Sequence, residues 1–309
     1  MNTFLRFIAI VLTLSFLPLS TQAKDRSCMW INVNSGEPVN FSALLDYLNH
    51  SDVIFLGERH TIDRHHEIQA NIVDELGNKT QKLIVGFEQI EAKDQPILDQ
   101  YNRGELTFEE FAKKIGWKKY WSNYNDYKAI LGNTRRNKGW VIGLNAPRML
   151  IRTVARKGLD NLSSQERAQL PENINTDDPE YSAHLKKIMM GMFAMMPGRF
   201  SKMNIKARLE KMVTAQICRD ETMANNIYKY LENEKFKNYK AVIILGSGHC
   251  NYGFGTVQRL KRRMPKLKET VIVMSESGDL YKGTMKKKQK ISRYKVNRPI
   301  ADFINVKER

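Results

Sequence analysis

Five short apolar runs stand out along the chain: Asp52–Leu56, Leu83–Phe87, Trp140–Leu144, Ala241–Leu245 and Val271–Met274. None alternates apolar with polar residues. Each is nearly continuous and rich in Val and Ile, the pattern of parallel strands buried on both faces. Between the first two runs, His66, Ala70, Val73 and Leu76 recur near helical spacing and predict a helix. From Ile90 to about Asn133 the pattern is again helical, with Tyr101, Phe108, Phe111, Trp117, Tyr120, Trp121, Tyr124 and Tyr127 spread through it. Strands alternating with helices predict an α/β fold, a mainly parallel sheet with flanking helices and right-handed crossovers.

The alternation is interrupted by a helical insertion over about 161–235. Its start is polar and carries Pro171 and Pro179, which reads as a loop. It then turns methionine-rich: Met189, Met190, Met192, Met195, Met196, Met203 and Met212 are half of the 14 methionines. Methionine gives a soft, adaptable apolar surface. Met196-Pro197-Gly198-Arg199 breaks the run, so two readings stand: insertion core, or a flap over an apolar ligand or a second subunit. Ala207 to Tyr230 predicts one long helix, in whose apolar stripe Gln216 and Asp220 are polar interruptions one turn apart. Either they face a crevice or they mark the helix's exposed edge.

The ends add a location. Arg6, the apolar run 7–17 and the small residues of Thr21-Gln22-Ala23 predict a signal peptide over 1–23, cleaved after Ala23, and hence an exported, periplasmic or membrane-associated protein. Asp25-Arg26-Ser27 does not prepare Cys28 for a lipid anchor. Residues 24–44 read as a lead-in, 45–276 as the ligand-binding α/β body, and 277–309 as a basic tail. The net charge is +17, and loss of Arg6 leaves +16. Ten Lys or Arg against two acids fall within 281–309, most densely at Lys286-Lys287-Lys288-Gln289-Lys290. Such a tail reads as solvated, with attraction to lipid headgroups as its functional alternative. No recognition motif accompanies the charge, so nucleic acid is excluded as a partner. Cys28, Cys218 and Cys250 allow at most one internal disulfide and form no metal-binding spacing.

The chemistry collects where the strands end. Gly57-Glu58-Arg59-His60 follows the first run and Gly246-Ser247-Gly248-His249 the fourth. The second ends at Glu88, the third at Asn145 and the fifth at Glu276, while Tyr252 lies just past His249. His65 and His66 open the helix after the first strand, where a helix N-terminus favours anions. Ligands of open α/β sheets bind outside the C-terminal strand ends, so His60, Glu88 and His249 are expected in one pocket. Three uses fit. Glu58, His60, Glu88 and His249 suit a divalent metal. His60 or His249, oriented by a glutamate, suits general base work. Tyr252 or one of His60, His65, His66 and His249 suits haem. Neither H-E-x-x-H nor G-x-S-x-G occurs, which excludes the common zinc protease and serine hydrolase templates.

Five dispersed pieces resemble one family: VIFLGERHTIDRHHEIQ at 53–69, VGFEQIEAKDQPILDQY at 85–101, VIGLNAPRMLIRTVARKGL at 141–159, AQICRDETMANNI at 215–227 and LGSGHCNYGFG at 245–255. In that order they resemble the ChaN-like haem-binding uptake family of exported bacterial proteins. The resemblance implies haem as ligand in iron acquisition and a homodimer with two cofacial haems at its interface. It further implies a tyrosine on each iron and a histidine and a lysine of the other subunit near the propionates. Tyr252 lies in a matching piece, and Tyr124 and Tyr127 lie in a segment of the right kind. The family is often lipid-anchored, and the plain signal here departs from that. The two G-x-x-H pieces are similar to those of the wider superfamily of Tiki proteases, TraB proteins and erythromycin esterases. That implies an alternative, a metal-dependent hydrolase with His60, Glu88 and His249 as its active residues.

Overall fold

The structure is a computed structural model that describes residues 28–79, 82–194, 205–275, 296 and 298–307. Its eight strands form one sheet: β1 (Cys28–Asn32), β2 (Pro38–Val39), β3 (Val53–Glu58), β4 (Leu83–Glu91), β5 (Trp140–Asn145), β6 (Lys240–Gly246), β7 (Glu269–Met274) and β8 (Phe303–Lys307). Their order is β2-β1-β8-β7-β3-β6-β4-β5. From β8 to β5 all neighbours are parallel; β1 runs antiparallel to both β8 and β2. All five predicted strands are present, within a fold that is α/β and mainly parallel as expected.

The helices cover both faces. On one face lie α1 (Phe41–Leu48), α2 (Asp63–Asn78), α3 (Gln95–Asn102), α4 (Phe108–Lys114) and α5 (Lys128–Arg136). Their core joins Leu56, Val85, Phe87 and Ile244 of the strands to Leu44, Val73, Phe111, Trp117, Tyr127 and Ile130. The predicted aromatic stretch is therefore a core-forming string of short helices joined by 3-10 turns. After β5 come α6 (Arg148–Lys157), α7 (Ser164–Arg167), α8 (Pro179–Ala194) and the long α9 (Ile205–Leu231), then α10 (Thr256–Arg263) after β6. Met223, Ala224 and Ile227 of α9 and Val257 and Leu260 of α10 cover the second face against Phe55, Ile243, Leu245 and Val273.

Three strands were not predicted, and they correct the extent of both terminal segments. The lead-in forms β1 and β2. The basic tail returns as β8, where Phe303 and Val306 are buried and Asn305 pairs with both Trp30 and Met274. The solvated-tail reading thus fails for 303–307; the lysine-dense part lies outside the described residues. So do the signal segment, Glu276 and the Met196–Arg199 break on which the flap reading rests. Cys218 and Cys250 are buried free thiols. Among the described residues, no helix is long and apolar enough to cross a membrane.

Candidate functional site

Glu58 is the last residue of β3 and is buried, so its charge needs partners. Its Oε1 accepts from His60 Nδ1 at 2.7 Å, Gln89 Nε2 at 2.9 Å and the Tyr127 hydroxyl at 2.6 Å. Its Oε2 faces His66 Nε2 at 3.4 Å. Burial alone would raise this carboxyl, but the hydrogen bond from His60 and the nearby imidazoles of His60 and His66 lower it to about 2. Burial and the adjacent carboxylate push the Tyr127 phenol far up, so it stays a donor. With Nδ1 on Glu58, His60 turns Nε2 the other way. A Cβ on Gly246 would lie 2.8 Å from that nitrogen and 3.4 Å from Glu88 Oε2. The absence of a side chain at Gly246 leaves room for the His60 ring in this place. The His60 ring meets Trp121 edge-on at 4.8 Å, and its side chain is 32% exposed. Burial opposes its charge, yet Glu58 and Glu88 hold its pKa above the ordinary value.

Glu88 and His249 form the second half. Glu88 Oε2 accepts from Gly246 N at 2.7 Å, and Oε1 lies 3.1 Å from His249 Nε2. His249 Nδ1 lies 2.6 Å from Asp220 Oδ1. Asp220, from α9, also accepts from Thr256 Oγ1 at 2.9 Å and the Tyr181 hydroxyl at 2.7 Å. The Gln216 amide sits 3.0 Å from the same ring. Burial disfavours an imidazolium here, but two carboxylates outweigh it and raise His249 to about 10. Burial likewise opposes the Glu88 charge, but the charge of His249 holds its pKa low, with His60 and Arg219 adding to it. His249 is thus a buried imidazole held between two carboxylates, Glu88 at Nε2 and Asp220 at Nδ1.

Glu88 and Gln89 of this cluster line a crevice of about 440 Å³ beyond the ends of β4 and β5. Trp117, Tyr120 and Trp121 give it an aromatic wall, joined by the aliphatic Ile115, and Glu88, Gln89 and Asn145 also line it. Arg148, Arg152, Arg219 and Lys93 bring cations to the rest, beside Glu91 and Asp94, with Lys93 paired to Glu91 at 2.6 Å. Arg148 stacks over Tyr120 with its guanidinium 5.3 Å from the ring centre. Arg219 Nε is buried without a hydrogen-bond partner. Tyr120 of this wall and Met149, next in the chain to Arg148, are large apolar side chains left 53% and 60% exposed.

The model of the haem-binding uptake family, ChaN, of the Tiki superfamily matches residues 44–260. The chain belongs to that family. Its fold is similar to that of ChaN of Campylobacter jejuni, whose structure describes cofacial haem binding. The TM-score is 0.69 at 18% identity, over 92% of this chain and 98% of that one. The erythromycin esterase EreC, solved as a histidine-to-asparagine mutant in an open conformation, is a looser match: TM-score 0.46, 12% identity, 79% and 76% coverage. The RRSP toxin effector domain of Vibrio vulnificus follows at TM-score 0.44, 14% identity, 79% and 37% coverage. No curated protein matches.

Within this ChaN-family chain, His60, Glu58, Glu88 and His249 gather at the strand ends, and of the four Glu88 is the one that lines the crevice. His65 and Tyr252 stand apart. His65 Nδ1 accepts from Arg59 N at 3.0 Å and its Nε2 lies 3.0 Å from the Ser275 carbonyl, so both nitrogens tie backbone together. Burial lowers its pKa, which suits this neutral role. Tyr252 holds a left-handed backbone (φ 62°) and packs against His184 and Phe254, with ring centres 5.3 and 6.2 Å away. It is not among the residues lining the crevice. Tyr124 stacks on Phe108, and Tyr127 is spent on Glu58. Sequence reasoning missed Tyr120, Arg148, Arg152 and Arg219 as crevice residues, although the Asn145-Ala146-Pro147-Arg148 turn sat beside a strand end.

Proposed function

We propose that the protein binds haem as cargo in this crevice and serves haem or iron uptake. The observation that carries the reading is an aromatic wall facing arginines at the C-terminal edge of the sheet. Haem is flat and apolar with two carboxylates at one edge, so it needs both surfaces. Tyr120 is the tyrosine of the crevice and takes the axial role that the sequence left open among Tyr252, Tyr124, Tyr127 and the histidines, while Arg148, Arg152 and Arg219 face the propionates. The exposed Tyr120 and Met149 favour a second copy closing over the ligand, a homodimer. The export signal fits a periplasmic carrier, and the lysines of 286–290 fit a peripheral contact with anionic lipid. Haemin titration of the apo-protein, followed by Soret absorbance and by mass in solution, tests this. Saturable binding with a tyrosinate-type high-spin spectrum and a doubled mass is expected, weakened by Tyr120→Phe. If Tyr252→Phe alone changes the spectrum, the axial assignment reverts to Tyr252; if no saturable shift occurs, the haem reading fails.

A second reading rests on a different observation. His60 has one nitrogen fixed by Glu58 and a side chain 32% exposed beside Trp121, the arrangement of a general base. In a hydrolase it would take a proton from water at Nε2, with the charges of Glu88 and His249 setting the local field. His249, already protonated and doubly bonded, cannot share that duty. Hydrolysis of ester or amide substrates lost in His60→Ala tests it.

A further inference from the structure

Outside the crevice, on the opposite side of Glu58, a second histidine lacks what the first has. His66 is 3% exposed, yet neither Nδ1 nor Nε2 has a hydrogen-bond partner. Buried polar atoms are rarely left so. Nδ1 points at Asp126 Oδ2, 3.8 Å away, too far for a hydrogen bond. Asp63, one helical turn before His66 at the start of α2, brings a third group to the same place. One ligand atom from each of Asp63, His66 and Asp126 lies within 4.8 Å of the others. All three are acceptors when His66 is neutral with its proton on Nε2. Three lone pairs converging on one point repel unless a cation sits among them.

We propose that Asp63, His66 and Asp126 form a binding site for a divalent first-row transition cation. One imidazole and two carboxylates suit Mn, Fe, Co or Zn, and three protein ligands leave positions for water. The tautomer is the one a metal-ligating histidine needs. Nε2–H faces Glu58 Oε2 at 3.4 Å, an oxygen that also lacks a hydrogen-bond partner. That makes Glu58 the carboxylate behind the ligand, a recurrent way of orienting metal-bound imidazole. The edge-on packing of the His66 ring on Tyr127, at 4.6 Å between centres, fixes its plane. The site is distinct from the crevice: its ligands come from α2 and the turn Tyr124–Tyr127, and it shares only Glu58 with His60.

Isothermal titration of haem-free protein with Zn²⁺, then Mn²⁺ and Fe²⁺ under anoxia, tests the assignment. One equivalent is expected, with the metal shifting the Nδ1 rather than the Nε2 resonance of His66. Asp63 is exposed and Asp126 partly so, and the double change Asp63→Asn with Asp126→Asn keeps their size. Because even partners behind a ligand are worth about 10–100-fold in metal affinity, the double variant should lose at least that much. His60→Gln, on the other oxygen of Glu58, should leave stoichiometry unchanged and serves as the contrasting variant. Absence of saturable binding by all three ions overturns the proposal. So does binding that survives the double variant but is lost with His60→Gln, which would put the metal at His60 instead.

Discussion

Replacing Glu88 by Gln removes one charge and almost no volume, and the structure fixes what should follow. Gly246 N keeps an acceptor at 2.7 Å if the amide oxygen takes the place of Oε2. The amide NH₂ then confronts the proton on His249 Nε2, which now lies 3.1 Å from Oε1. Two unit charges at about 4 Å attract by about 4 kcal/mol at an effective dielectric near 20. Leaving one member of a buried pair alone costs about 3–5 kcal/mol. Asp220 still holds Nδ1 at 2.6 Å, which puts the expected loss near the lower end, about 3 kcal/mol. The pH dependence is the stricter test. His249 is raised from 6.5 to about 10, so its contribution is complete below pH 6.5 and is lost as pH rises through 10. Glu88 is lowered from 4.5, so its contribution is present above pH 4.5 and fades as pH falls further. The gap between wild type and Glu88→Gln should therefore be widest between pH 4.5 and 6.5 and shrink towards pH 10. Urea unfolding across that range measures it, with Asp74→Asn at the partly exposed Arg136 pair as a reference worth about 0–1 kcal/mol. A gap no larger than that reference, or one that does not narrow at high pH, refutes a doubly paired imidazolium.

Gly246→Ala places a Cβ 2.8 Å from His60 Nε2, so the ring must move; a loss of about 1–3 kcal/mol in urea and shifted His60 imidazole resonances are expected. Unmoved resonances would show that Gly246 does not hold the approach open. Any hydrolysis that uses His60 as base needs it deprotonated. Against the effect of burial, Glu58 and Glu88 raise its pKa above 6.5, so the rate should climb with pH on an alkaline limb. A rate falling over that limb, or one unaffected by His60→Ala, counts against the base.

The central strands were legible because parallel strands covered on both faces must be apolar throughout, and Val53–Leu56 and Ala241–Leu245 are. β1 and β8 were not, because their pairing joins Cys28 to Lys307 and Met29 to Val306, nearly the whole chain apart. The β8 residues Ile304, Asn305 and Val306 also mix a polar side chain into a basic context. In the site, the strand ends delivered Glu58, His60, Glu88 and His249 as their Gly-x-x-His grammar suggested. The place of Asp220 stayed open and Tyr181 gave no signal, since their reach depends on how α8 and α9 seat against the 3-10 turns after β6. His65 and His66 show the limit most sharply. Neighbours on a helix point about 100° apart, so one ties down Ser275 while the other turns to Glu58.

Two motifs of the same grammar do opposite work, and their places in the sheet explain why. β6 lies between β3 and β4, so the turn after it is enclosed. His249 receives Glu88 from β4 on one side and Asp220 from α9 on the other, and neither nitrogen is spare. The Glu58 carboxylate of β3 is anchored from behind by Tyr127, Gln89 and His66, and it can bind only one nitrogen of His60, which lies past the strand end beside Trp121. The motif symmetry in sequence is therefore broken by the third dimension. The buried histidine is held between two carboxylates, and the one 32% exposed is held by a single carboxylate. A ligand that is both flat and anionic meets aromatic rings and arginines at that opening, where of the four strand-end groups Glu88 reaches the lining, with its Oε1 held 3.1 Å from His249 Nε2.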